Sequence, residues 1–319
     1  MNWSSLLPVA NETSSSTALS PSETARFALV DGLMRDGLAF VTGVPTDKTG
    51  DSILASDENS PNLARLAEML GEIRHTFYGS LWNVRSLGSS SRNIAYTNLD
   101  LGLHMDLCYF QNPPRFQFLH MLRNRVQGGQ SIFVDAFAVA EEMWKSHREA
   151  WKVLTEVPVC FEYQNDSRHY RYTHPTFEVA RESSGHAGPN GSDGMPRLTA
   201  INYSPPFQGN LPLRWPSDGV MVDASPATRK AFYESLKIFA DLTHDARFRY
   251  ERMLQEGECV VFDNRRVLHS RRGFEWDEKA EGGDDVKRWL KGCYVDGDAI
   301  WSTYRTLLAK SRGGSLLNV

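Results

Sequence analysis

Cysteine is scarce in this chain. Cys108, Cys160, Cys259 and Cys293 are spread over 319 positions with no CxxC pair, which excludes a disulfide framework and a Cys-based structural zinc site. A reducing, cytoplasmic setting is the simplest expectation. No apolar run approaches the roughly 18 residues of a membrane span, and no basic residue precedes Arg26, so the charged start of a signal or transit peptide is missing. No membrane partner is expected. The net charge is −4 and no basic block runs along the chain, which argues against nucleic acid and for a small-molecule ligand. Neither GxGxxG nor GxxxxGK[ST] follows a strand-like run, so a nucleotide-binding α/β fold is disfavoured. No internal repeat is visible.

What is present suffices for a large core: 41% of residues are hydrophobic and 11% aromatic, which excludes wholesale disorder. Residues 1–19 are Ser/Thr-rich without periodicity and read as a flexible or loosely docked arm. Ser20-Pro21-Ser22-Glu23 has the pattern of a capping box with Pro at the first helical position, and Gly37 ends the helix. Leu38 to Pro45 reads as a buried strand, and Pro61 to about Leu70 as a second helix. Short strand-like runs follow at Asn93 to Thr97, Phe116 to Met121, Ser131 to Val134, Val157 to Tyr163, Leu198 to Tyr203 and Glu258 to Phe262. Helical patterns interrupt them at Phe137 to Val153 and Pro226 to Thr243. Polar tracts at 182–196 and 275–285 read as loop insertions. The fold class is mainly β with flanking helices, a sandwich or jelly roll, and residues 20–319 form one domain.

One constellation carries chemistry. His104-Met105-Asp106 places an imidazole and a carboxylate two residues apart, a spacing that points both to one face of an extended strand. Chance supplies about half an HxD triplet in a chain of this composition, so the pair needs a third ligand. Val260 to Arg271 reads as a strand, a polar turn and a second strand carrying His269. Two His and one carboxylate form a facial triad with open positions, which suits Fe(II), a chelating cosubstrate and O2.

Ordered blocks extend the pattern. Asn93-Ile94-Ala95-Tyr96-Thr97, Pro113-Pro114, Phe118-Leu119-His120, Gly128-Gly129-Gln130-Ser131, Val134-Asp135, Phe262 to His269 and Arg288-Trp289-Leu290-Lys291-Gly292-Cys293-Tyr294 occur in sequence around the triad. Over roughly residues 24 to 310 the chain resembles the γ-butyrobetaine and trimethyllysine hydroxylases, within the taurine-dioxygenase-like Fe(II)/2-oxoglutarate oxygenases. The resemblance implies a double-stranded β-helix with His104, Asp106 and His269 as iron ligands. It implies Arg288 as the cation for the distal carboxylate of 2-oxoglutarate, a group that a planar guanidinium binds in bidentate fashion; Arg271 and Arg272 compete for that role. Ser131 and Asn93 are implied cosubstrate contacts. Tyr78, Trp82, Tyr96 and Tyr294 fall where those enzymes place an aromatic box for a trimethylammonium group, and Asn202 falls where a polar residue holds the substrate's other end. The family's N-terminal cysteine-rich zinc domain is expected to be absent.

The implied reaction hydroxylates an unactivated C–H bond of a small trimethylammonium or amino-acid-like substrate, with 2-oxoglutarate converted to succinate and CO2. The same cofactors also support desaturation, cyclisation or other tailoring of a secondary metabolite. A catalytically silent jelly-roll binding protein or a cupin-like hydrolase is the reading from another class. Ala299 to Ala309, amphipathic in pattern, is a candidate homodimer surface.

Overall fold

The computed structural model describes residues 1–8, 18–46, 61–85, 97–165, 167–180, 194–211, 214–217, 220–223, 225–275 and 286–313. Two antiparallel sheets form its centre. The larger runs in the order Leu38–Val41, Cys259–Asp263, Phe116–Asn124, Arg288–Val295, with Ile73–Arg74 and Trp82–Arg85 both pairing with Arg288–Val295. The smaller runs Arg249–Arg252, Ser131–Asp135, Val267–Arg271, Leu101–His104. The chain steps repeatedly from one sheet to the other: Leu101–His104 leads to Phe116–Asn124, that strand to Ser131–Asp135, and Cys259–Asp263 to Val267–Arg271. That alternation is the jelly roll.

The residues explain the layering. Cys259–Asp263, Val267–Arg271 and Arg288–Val295 are buried along their whole length, so they lack the in–out alternation of a half-solvated strand. Met121, Phe133, Val260, Phe262, Val267 and Leu290 fill the space between the sheets. The turn between Cys259–Asp263 and Val267–Arg271 is closed by its own side chain, because the Arg265 N–H donates to Asp263 Oδ1 at 2.9 Å and the Arg266 N–H to the Asp263 carbonyl at 2.9 Å. A short Asp side chain satisfies the backbone there and fixes the crossing.

The helix over Pro21–Asp36 has the expected capping box, with Ser20 Oγ accepting from the Glu23 N–H and Glu23 accepting from the Ser20 N–H, and Gly37 closes it at φ 71°. The helix over Pro226–Thr243 likewise starts at Ser225, whose hydroxyl accepts from the Thr228 N–H. The pattern from Phe137 to Val153 resolves into two helices, Ala136–Ser146 and Arg148–Glu156, broken at His147. No Pro or Gly marks the break. Packing imposes it: Trp144 and Trp151 meet edge to face, with ring centroids 4.8 Å apart.

Other elements differ from expectation. Residues 1–8 are docked, not loose: Trp3 and Leu6 are buried, and the Trp3 N–H donates to the Thr42 carbonyl at 2.8 Å. The polar segment Arg168–Pro175 forms a hairpin with Pro158–Asn165, although its exposed, charged residues conceal a strand. The tract at 182–196 lies outside the described residues up to 193, and at its end Met195 is buried in the core. Of 275–285 only Glu275 is described, paired with Gln127. The segment Ala299 to Ala309 lies in the helix Gly297–Ser311, which turns its apolar residues toward its own chain: Tyr304 stacks on Phe27 at 6.0 Å and Lys310 pairs with Glu23 at 2.6 Å. All four cysteines are buried free thiols. Among the described residues no helix is long and apolar enough to cross a membrane.

His120 gives the fold a pH dependence. It sits fully buried on Phe116–Asn124, and burial, opposed only by a bond to the Val44 carbonyl, pushes its pKa down to about 4. As pH falls below about 6.5 the unfolded chain takes up a proton that the folded one refuses until about pH 4. Stability therefore decreases across that window, by at most about 1.4 kcal/mol per pH unit. Thermal unfolding from pH 7 to pH 4 should show this slope, and His120→Asn should flatten it.

Candidate active site

Two histidines meet because their strands pair. His104 ends Leu101–His104 and lies opposite His269 on Val267–Arg271, which sets the imidazoles side by side with centroids 4.2 Å apart. Asp106 completes the group, and ligand atoms of all three lie within 4.8 Å of one another. The carboxylate does not arrive by strand alternation, as its spacing predicts. The strand stops at His104 and Asp106 sits in the following turn. The side chain of Asn264, fully buried, grips that turn by accepting from the Asp106 N–H at 2.8 Å and donating to its carbonyl at 3.0 Å. The next residue, Leu107, is held at φ 61°, a conformation that a branched apolar side chain adopts only under tertiary constraint.

The carboxylate is oriented as well as placed. Gln117 Nε2 and the Tyr294 hydroxyl both donate to Asp106 Oδ2, at 2.8 and 2.9 Å, while Oδ1 faces His104 Nε2 at 3.4 Å. One oxygen is held by the protein and the other is directed at the histidines. Despite burial, hydrogen bonding and the two imidazoles hold Asp106 far below the usual carboxylate range. Burial and the neighbouring His104 push His269 down to about 3. His104 Nδ1 lies 2.9 Å from the Gly102 carbonyl, which sets the proton on that nitrogen and leaves Nε2 as a lone-pair donor. The ionised carboxylate of Asp106 and the neutral imidazole of His269 are in the protonation states that metal ligands need.

A cavity of about 100 Å3 adjoins the triad. Ser131, Arg271, Arg288 and Trp82 line it beside His104, Asp106 and His269. Arg288 is 4% exposed, and its Nε finds no acceptor among the described residues. Burial and the nearby Arg271 lower its pKa to about 9. A guanidinium buried without a carboxylate is unfavourable unless an anion joins it. Arg272 points elsewhere, to Glu251 at 3.2 Å. Arg271 faces the cavity because it lies two residues beyond His269 on the same strand.

Of the expected aromatic box Tyr96 falls outside the described residues, as does Asn93, the second expected cosubstrate contact. Tyr78, Trp82 and Tyr294 do gather, with centroid distances of 6.3 Å between the first two and 5.2 Å between the last two. Tyr78 and Trp82 share no helix: Tyr78 lies in a turn and Trp82 opens Trp82–Arg85. Tyr294 is 2% exposed and its hydroxyl is committed to Asp106. Of the three, Trp82 is the one that lines the cavity, together with Phe133. Gly292 makes room for it, since a Cβ there would lie 2.4 Å from the Trp82 ring. Gly292→Val should displace the indole and destabilise the fold by about 1–3 kcal/mol, the usual effect of overpacking; a thermal melt and tryptophan fluorescence check it.

Asn202 is a correction. Its amide donates to the Pro175 carbonyl and Glu178, and its oxygen accepts from Arg265 at 2.7 Å. This buried network uses its hydrogen-bonding groups, and Asn202 does not line the cavity of the triad. The sequence reading missed Gln117 and Asn264, because amides that hold another residue's carboxylate or backbone have no spacing signature.

The model of the family described as "Taurine catabolism dioxygenase TauD, TfdA family" matches residues 7–294, and the chain belongs to that family. Among curated relatives, Dioxygenase str8 of Strobilurus tenacellus is 46% identical over 87% of this chain and 58% of its own length. Gamma-butyrobetaine dioxygenase of Pseudomonas sp. (strain AK-1) is 35% identical over 83% and 58%. The chain thus spans less than two thirds of these relatives. The crystal structure of the non-heme iron oxygenase OrfP, in complex with Fe and alpha-ketoglutaric acid, superposes with a TM-score of 0.58 at 16% identity, over 86% of this chain and 81% of that one. This likeness shows a common fold.

Proposed function

We propose that the protein is an Fe(II)- and 2-oxoglutarate-dependent oxygenase that hydroxylates an unactivated C–H bond of a small molecule. The carrying observation is the shared cavity: a two-histidine, one-carboxylate triad at one side and, lining the same space, a buried guanidinium whose Nε finds no acceptor among the described residues. The donor set fits Fe(II), and a ligand with one chelating end and one anionic end fits both features together. His104, Asp106 and His269 would hold the metal. Arg288 and Ser131 would bind the distal carboxylate of 2-oxoglutarate. When bound, these partners and O2 supply an oxidant strong enough for an aliphatic C–H bond, with succinate and CO2 as coproducts.

The chain's own residues position and protect. Gln117 and Tyr294 keep Asp106 Oδ2 occupied, so that carboxylate presents one oxygen. Leu101, Leu119, Phe133 and Leu290 line the cavity with apolar surface, which excludes water from the reacting bond. Trp82 gives the substrate a π face, suited to a trimethylammonium or other cationic group. The relatives named gamma-butyrobetaine dioxygenase and trimethyllysine dioxygenase support that substrate class. We place the enzyme in a reducing, cytoplasmic compartment, in keeping with its four buried thiols. A succinate-release screen over trimethylammonium acids, free amino acids and uncharged isosteres tests the proposal. Coupled release with a cationic substrate supports it; no release above the uncoupled background with any of the set contradicts the substrate class.

A further inference from the structure

We propose that Arg271 is a second guanidinium of the anion subsite, acting with Arg288 on the distal carboxylate of the cosubstrate. The inference rests on the function proposed above and adds a residue to it. Arg271 and Arg288 both line the cavity that holds the triad. They approach it from different sheets, Arg271 from the end of Val267–Arg271 and Arg288 from the start of Arg288–Val295.

A single ring joins them. The guanidinium of Arg271 lies 4.7 Å from the centroid of Phe274 and that of Arg288 lies 5.5 Å from it. Two like charges adjoin one aromatic ring, and the Nε of each is buried without an acceptor among the described residues. Among the described residues the Arg271 guanidinium makes one hydrogen bond, from Nη2 to the Leu99 carbonyl at 2.5 Å, which pins one edge of it. Asp100 is a carboxylate whose field reaches Arg271. Arg272, one residue on, is by contrast paired with Glu251. Two buried guanidiniums are thus left facing one cavity with spare donors, an arrangement that an anion between them relieves. Gly129 leaves room beside Arg288, since a Cβ there would lie 3.4 Å from Arg288 Nε, and its φ is positive at 78°.

A purely structural Arg271 would serve only to tether Leu99, so the test separates binding from stability. The protein is loaded anaerobically with Mn(II) and titrated calorimetrically with 2-oxoglutarate; unliganded melting temperature is recorded in parallel. Arg271→Met keeps the unbranched stem and removes the charge, and its Kd should rise about 10- to 100-fold, the loss of one charge-assisted contact. Arg271→Lys keeps the charge without the planar fork and should show a smaller rise. A lower melting temperature with Kd unchanged in Arg271→Met overturns the proposal. If that variant does not fold, an unchanged Kd in Arg271→Lys overturns it. Failure of the wild-type protein to bind 2-oxoglutarate instead contradicts the function on which the proposal rests.

Discussion

Substitution of His104 or Asp106 by Ala is expected to abolish substrate-coupled succinate formation while leaving the chain folded. Both residues lie at the edge of the core, His104 at a strand end and Asp106 in a turn, so neither supports much apolar packing. Their contribution is to the metal. Loss of a group that merely supports a ligand lowers metal affinity by about 10- to 100-fold, and loss of a ligand itself should exceed that range. Asp106→Ala removes in addition the sole anion of the triad and leaves the donors of Gln117 and Tyr294 without their acceptor. Circular dichroism should stay native in both variants while Fe(II) binding and turnover disappear. Normal turnover in either would remove the triad from the chemistry.

Arg288→Ala is expected to produce the next largest effect, and of a different kind. The metal site stays intact, so Fe(II) should still bind. The KM for 2-oxoglutarate should rise by about 100-fold, which corresponds to roughly 3 kcal/mol for the loss of a strong charge-assisted contact in a buried setting. Removing a buried charge whose Nε has no acceptor among the described residues also removes an unfavourable feature of the unliganded protein. The unliganded variant should therefore be no less stable than the wild type. Affinity lost without stability lost is the signature of a group retained for its ligand. Steady-state kinetics at varied 2-oxoglutarate and a thermal melt report the two quantities.

The sequence made the triad legible because each histidine carries its context with it. His269 follows an apolar run and an Asp-initiated turn, and those residues form the two strands and the crossing between sheets that set it against His104. The helix starts at Ser20 and Ser225 were legible for a similar reason, since capping depends on neighbours three residues apart. Asp106 was identified for a reason the structure replaces. Its position is fixed by Asn264, far along the chain, and by a left-handed Leu107, and no local pattern encodes either. The same limit hid the break at His147, which answers to the packing of Trp144 on Trp151. Asn202 shows the converse: a polar residue among apolar neighbours resembles a ligand contact in sequence, and only its partners Glu178 and Arg265 reveal an internal network. In the sequence Arg271 and Arg288 compete for one role, whereas the fold brings both to one cavity.

The central claim is that one cavity holds Fe(II) and 2-oxoglutarate together, chelated at the triad and anchored at the arginines. Anaerobic addition of Fe(II) followed by 2-oxoglutarate should give a weak visible charge-transfer band that needs both additions. The account predicts that the band is present in the wild-type protein, absent from Asp106→Ala, and shifted to higher 2-oxoglutarate concentration in Arg288→Ala. No band in wild-type protein that has bound Fe(II), or an undiminished band in Asp106→Ala, would contradict it.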